Sequence, residues 1–183
     1  MILRMSDCSY ILFDTTLGCC GIAWDAQGVL ATSFADESDE KTRARLLRRA
    51  LGATEAQSTP MHIERIIADI RSLFLGDKAD FDDVCLNLAG LPEFDCAVIE
   101  LTSNIKQGET KTYGELARQL GNVSFSRRVG QALGRNPIPI IVPCHRVVGA
   151  DGAMTGFSAP GGTVSKRKLL KIEGALEPDL FDQ

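Results

Sequence analysis

Apolar runs and short polar breaks alternate at the start of the chain. The stretch "YILFDTTLGCCGIAWDAQGVLATSF" (10–34) is interrupted by Asp-Thr-Thr-Leu-Gly and Asp-Ala-Gln-Gly. Turn clusters between short apolar runs predict three antiparallel strands. The period then changes. Residues 39–52, "DEKTRARLLRRALG", read as a helix that Asp39 can cap and Gly52 can end. Residues 60–75 place Ile63, Ile66, Ile67, Ile70, Leu73 and Phe74 on one helical face, and Pro60 suits the start. His62 falls in the first turn of that helix and reads as structural or exposed. Residues 76–91 predict a loop with a last strand in "DVCLNLAG".

After Gly90-Leu91-Pro92 the pattern turns helical. One helix is predicted over 93–103. A second runs from Thr112 to Leu120, where Thr112 and Glu115 have capping-box spacing and Gly121 can close the end. A third runs from Ser124 to Leu133, and a last one over 164–173. Two short helices joined by a tight glycine-containing turn have the form of a helix-turn-helix. Its second helix would present Ser124, Arg127, Arg128 and Gln131, with Val129 and Leu133 inward. Gly130 and Ala132 are small enough to let something approach the backbone. The bland alternative is that these arginines form a solvated face. The predicted fold class is α+β. A small N-terminal antiparallel sheet with helices occupies 1–91. A mostly helical domain containing the helix-turn-helix occupies 92–174, and an acidic tail follows over 175–183.

Composition is ordinary for a globular chain, 44% hydrophobic and 24% charged over 183 residues. With no signal-peptide pattern and no long apolar run, a cytoplasmic protein with no membrane partner is expected. Six cysteines without a Cys-x-x-Cys pair read as reduced thiols, so no metal and no cofactor is expected. Convergence of Cys8, Cys19, Cys20 and Cys85 with His62 on a metal is the alternative to buried apolar thiols. The net charge of −4 argues against a nucleic-acid binder until it is divided. Residues 1–91 carry nine Lys/Arg and fourteen Asp/Glu, whereas 92–174 carry eleven and seven. Any polyanion would therefore meet the second half.

Residues 137–148, "PIPIIVPCHRVV", contain three prolines, which excludes a central strand and suggests a rigid extended mount. A cysteine in such apolar surroundings is ordinarily inert. Three features oppose that reading. His145 and Arg146 follow Cys144 directly and need partners if buried. Asn136 can hold a turn just before. Glu173 can pair with His145 to activate the thiol. Neighbours in an extended segment face opposite ways, so His145 would need a turn after Pro143, or a bridging water, to reach Cys144.

The stretches "GETKTYGELARQLG", "SRRVGQALGRNP", "GRNPIPIIVPCHRVVGADGAMTGFSAPGG" and "KRKLLKIEG" together resemble the O6-alkylguanine-DNA alkyltransferases, over about 92–174. The resemblance implies irreversible, single-turnover transfer of an alkyl group from O6-alkylguanine in DNA to Cys144, with O4-alkylthymine a second candidate. It implies that Glu173, His145 and a water keep Cys144 as thiolate, and that Tyr113 protonates the leaving guanine. Arg127 would fill the gap left by a flipped base, with Arg128, Gln131 and Ser124 on the DNA. Asn136 would hold the turn between recognition helix and cysteine. Val147 (by its backbone), Ser158, Phe157 and Pro139 would form the pocket. The implied partner is double-stranded DNA, entered through the minor groove by a monomer. Two departures stand out: Lys106 where the family often has proline, and Phe157 where some relatives have tyrosine.

Two other classes compete. A non-reacting sensor of alkylated DNA would keep the helix-turn-helix without the cysteine, and Cys144 opposes it. A cysteine hydrolase using Cys144 and His145 would leave the helix-turn-helix unexplained.

Overall fold

The computed structural model describes residues 8–177. Strands β1 (Ser9–Thr15), β2 (Gly18–Asp25) and β3 (Gly28–Ser33) form the predicted antiparallel meander. The expected last strand does not form. "DVCLNLAG" contributes one bridge, Leu86 to Val29. The Asn87 side chain accepts from Ala89 N at 3.0 Å and bends the segment away. The fourth strand is instead β4 (Thr54–Glu55), parallel to β1 at the other edge, giving the order β3-β2-β1-β4.

Helix α1 (Asp39–Leu47) is capped by Ser38 rather than Asp39, since the Ser38 hydroxyl accepts from Lys41 N at 3.3 Å. Asp39 and Glu40 lie in the first turn, where the helix dipole favours negative charge. The helix stops well before Gly52. Helix α2 (Met61–Leu75) buries all six predicted apolar residues and ends on left-handed Gly76. His62 is exposed.

Beyond Pro92 come α3 (Glu93–Ser103), α4 (Tyr113–Gln119), α5 (Ser126–Gly134) and α6 (Gly162–Ile172). Two-residue strands β5 (Lys111–Thr112) and β6 (Val147–Val148) pair in parallel. The Thr112–Glu115 capping box is present, with Glu115 N on the Thr112 hydroxyl at 3.1 Å and Thr112 N on the carboxylate at 2.6 Å. Helix α5 starts two residues later than predicted. Val123–Phe125 form a 3-10 turn first, held by the Asn122 side chain on Ser124 N at 2.9 Å. Arg135 grips buried Asp95 with two hydrogen bonds, 2.7 and 2.9 Å, and so fastens the end of α5 to α3.

The largest apolar cluster joins residues from both sides of Pro92. Phe13, Ile22 and Ile70 meet Ile99, Ile140 and Leu169 there. A second cluster packs Val98, Leu116, Val129 and Leu133 against Cys144 and Val147. The helix-turn-helix core and the cysteine thus share one packing unit. Among the described residues no helix is long and apolar enough to cross a membrane. Most of the expected acidic tail, 178–183, lies outside the described residues.

Candidate active site

The cysteine mount is two turns, not an extended rod. In the first, Val142 N bonds the Ile138 carbonyl at 2.9 Å, and Ile140 takes φ +80°. A β-branched residue in the left-handed region costs about 1–3 kcal/mol. The surroundings hold it there. Thr32 of β3 bonds the Pro137 carbonyl through its backbone N at 3.1 Å and the Pro139 carbonyl through its hydroxyl. The Ile140 side chain is buried in the main core. Asn136 closes the turn from within, accepting from Ile138 N at 2.9 Å and donating to the Val142 carbonyl at 3.2 Å. The second turn is a 3-10 helix, Cys144–Arg146, directly after Pro143. It supplies the change of direction that adjacent Cys144 and His145 need.

His145 and Glu173 are fully buried and meet at 2.8 Å, Nε2 to Oε1. Arg146 grips the same carboxylate, Nε to Oε2 at 2.8 Å and Nη2 to Oε1 at 3.0 Å, and donates to the Ile105 carbonyl at 2.6 Å. Burial alone would raise the Glu173 carboxyl. The hydrogen bonds and charges of His145 and Arg146 outweigh it and hold the group at about 2. An ionised carboxylate only accepts, so Nε2 of His145 carries the proton. Nδ1, the other ring nitrogen, is buried without a hydrogen bond among the described residues.

Cys144 is 8% exposed and lines a cleft of about 660 Å³ with Tyr113, Arg127, Gln131, Phe157 and Ser158. That size suits a small-molecule or base-sized guest. Burial pushes the thiol up, while Asn136, Lys166 and Arg49 pull it down, and burial wins. The buried thiol therefore needs a base to ionise. Tyr113 donates toward the Thr155 and Gly156 carbonyls at 3.2 and 3.4 Å, and burial raises its hydroxyl, so it stays a proton donor.

The other expected residues divide. Arg127 and Gln131 line the cleft from α5, and Gly130 lies close under the Tyr113 ring. Ala132 does not present a small surface outward; it is buried in the helix core. Arg128 is stacked over the Phe94 ring of α3, 3.7 Å from its centroid. Ser124 lies in the 3-10 turn before α5 and is exposed. Val147 and Pro139 are buried and do not line this cleft. The Val147 carbonyl accepts from Lys166 Nζ at 2.6 Å, which leaves it one further lone pair. Phe157 trades the tyrosine hydroxyl for an edge-on contact with Phe34, centroids 5.8 Å apart.

Arg146, Lys166 and Arg49 are among the residues to which the sequence gives no role. Arg146 completes the Glu173 clamp. Lys166 is buried and ties Val147 to the Thr155 carbonyl (2.9 Å), joining cysteine strand to pocket loop; burial pulls it down to about 8. Its spacing with Leu169, Leu170 and Glu173 is the helical signal that could have found it. Arg49 reaches the Asn136 carbonyl from the N-terminal half, and nothing in the sequence pointed there. Among the described residues no group of three or more His, Cys, Asp or Glu is placed to hold a metal ion.

A family model described as 6-O-methylguanine DNA methyltransferase, DNA binding domain, matches residues 93–175. The methylated-DNA–protein-cysteine methyltransferase of Methanothermobacter thermautotrophicus is 34% identical over 154 residues, 84% of this chain and 78% of that protein. Its counterpart in Mycobacterium tuberculosis H37Rv is 44% identical over 119 residues, 63% of this chain and 70% of the relative. The crystal structure of Mycobacterium tuberculosis OGT in complex with DNA matches with a TM-score of 0.74 at 32% identity, covering 93% of this chain and 96% of that one. Likeness on this scale, over both halves of the fold, establishes that the chain belongs to the methylated-DNA–protein-cysteine methyltransferase family.

Proposed function

We propose that this protein repairs DNA by direct reversal, moving an alkyl group from O6 of guanine to Cys144 in a single turnover. The observation that carries the reading is the shared cleft. The only cysteine lining it sits opposite Arg127 and Gln131 of the recognition helix, with a buried base behind it.

The target oxygen lies inside the duplex stack, so the base must be flipped out, at a cost of a few kcal/mol, roughly. Arg127 enters the gap from the minor groove, Gln131 and Ser124 meet the flanking strand, and Arg128 holds the helix through Phe94. Specificity for sequence is not needed, so phosphate contacts and deformability suffice. Ser158 faces the alkylated oxygen.

The chemistry balances on this chain. The thiol proton passes through a bridging water to Nδ1 of His145. The sulfur–carbon bond forms as the carbon–O6 bond breaks. Tyr113 protonates the leaving guanine and recovers its proton from solvent. The thioether is stable, so no second cycle follows. Residues 1–91 act as the supporting domain of a monomer working in the cytoplasm.

Excess duplex containing O6-methylguanine tests the reading. Restored guanine should level off at one per protein chain. Continued release beyond one per chain would contradict a single-turnover acceptor.

A further inference from the structure

The N-terminal half does more than support. Two arginines, Arg45 in the last turn of α1 and Arg49 just beyond it, cross to the other half. Arg45 Nη1 approaches the Ser158 carbonyl at 3.4 Å while its Nε and Nη2 hold Asp36 at 3.1 and 3.0 Å. Arg49 donates to the Asn136 carbonyl. Both line a narrow cleft of about 20 Å³ together with Asn136, Cys144 and Ser158.

The two arginines differ in one respect. Arg45 has a carboxylate partner. Arg49 is half-buried, with Arg45 and Arg48 as like-charged neighbours and, among the described residues, no carboxylate on its guanidinium. A partly desolvated cation without a counterion is costly. The group in its cleft able to become an anion is the Cys144 sulfur.

We infer that Arg49 is a positioning residue for Cys144, holding the Asn136 turn and stabilising negative charge on the sulfur as it forms. Burial lowers Arg49 itself, and Cys144 is the neighbour that opposes the shift. Other charged or titratable groups face the sulfur too: Lys166 from α6, Tyr113 from α4, Arg127 from α5, and His145 backed by Glu173. Arg49 alone among them comes from the N-terminal half without a carboxylate.

The inference rests on the alkyl-transfer reading for its role in repair, so its test uses a probe that does not. Iodoacetamide labelling of Cys144, read by peptide mass across pH, reports thiol ionisation directly. In Arg49→Gln the midpoint should rise by about half a pH unit or more, and labelling at neutral pH should slow about threefold. Arg49→Lys should keep the wild-type midpoint, and so should Arg48→Gln, which changes net charge equally without the contact. Arg49→Met replaces Arg49→Gln if the latter does not fold. A wild-type midpoint in the uncharged variant overturns the inference, as does an equal rise in Arg48→Gln. Failure of the wild type to take a methyl group from O6-methylguanine duplex would sink the proposed function and leave this result standing.

Discussion

Glu173 is the residue on which the site's charge state turns. It holds the His145 ring and the Arg146 guanidinium with both oxygens, inside the protein. Glu173→Gln would leave Arg146 buried without its anion, and breaking a buried pair this way costs roughly 3–5 kcal/mol. A urea midpoint at neutral pH checks this, and the transfer rate should fall as His145 loses its orienting partner. The pH dependence has a defined sign. The folded carboxyl lies at about 2, below its unfolded value, so its contribution is complete above about pH 4.3 and drains as pH falls toward 2. Wild-type stability should drop through that window, and the Gln variant should drop less. Lys166 works in the opposite range. Its folded value of about 8 lies below the unfolded one, so stability should gain between about pH 8 and 10.4, a limb that Lys166→Met should lack. Of these residues, Glu173 and His145 could be paired from sequence because a buried histidine needs an orienting group. Lys166 sits in "SKRKLL", where neighbouring charges hide a buried position that helical spacing alone would reveal.

The helix-turn-helix is the element with the clearest local signals. The Thr112–Glu115 spacing predicts the start of α4, and the capping box is there. Thr112→Ala should cost about 1 kcal/mol in stability by denaturant titration, with Thr112→Ser close to wild type. Arg127→Ala should leave stability near wild type and slow repair in duplex far more than reaction with a free alkylguanine base. Equal losses on both substrates would exclude a role in base extrusion. The start of α5 was less legible, because Asn122 diverts the chain into a 3-10 turn that has almost the same periodicity over three residues. The proline-rich segment departs from an extended mount for a different reason. Three prolines exclude a strand but do not forbid a turn, and left-handed Ile140 is tolerated only because β3, distant in sequence, holds its neighbours.

At the scale of the molecule, a boundary at Pro92 divides charge and pattern but not the core. Ile22 and Ile70 from one side share a cluster with Ile138, Ile141 and Leu169 from the other. Alternation and helical period reveal each half separately, and the contacts between them carry no local signal, which is why Arg45, Arg49 and Phe34 went unassigned. These same contacts tie the pocket loop at Phe157 and Ser158 to the N-terminal half. The whole arrangement converges on one sulfur. The most direct test is to incubate the protein with duplex containing O6-methylguanine, digest it, and locate the added methyl by peptide mass. One methyl group on Cys144, and none on Cys8, Cys19, Cys20, Cys85 or Cys96, is the predicted result. Repaired DNA with an unmodified Cys144 would contradict it.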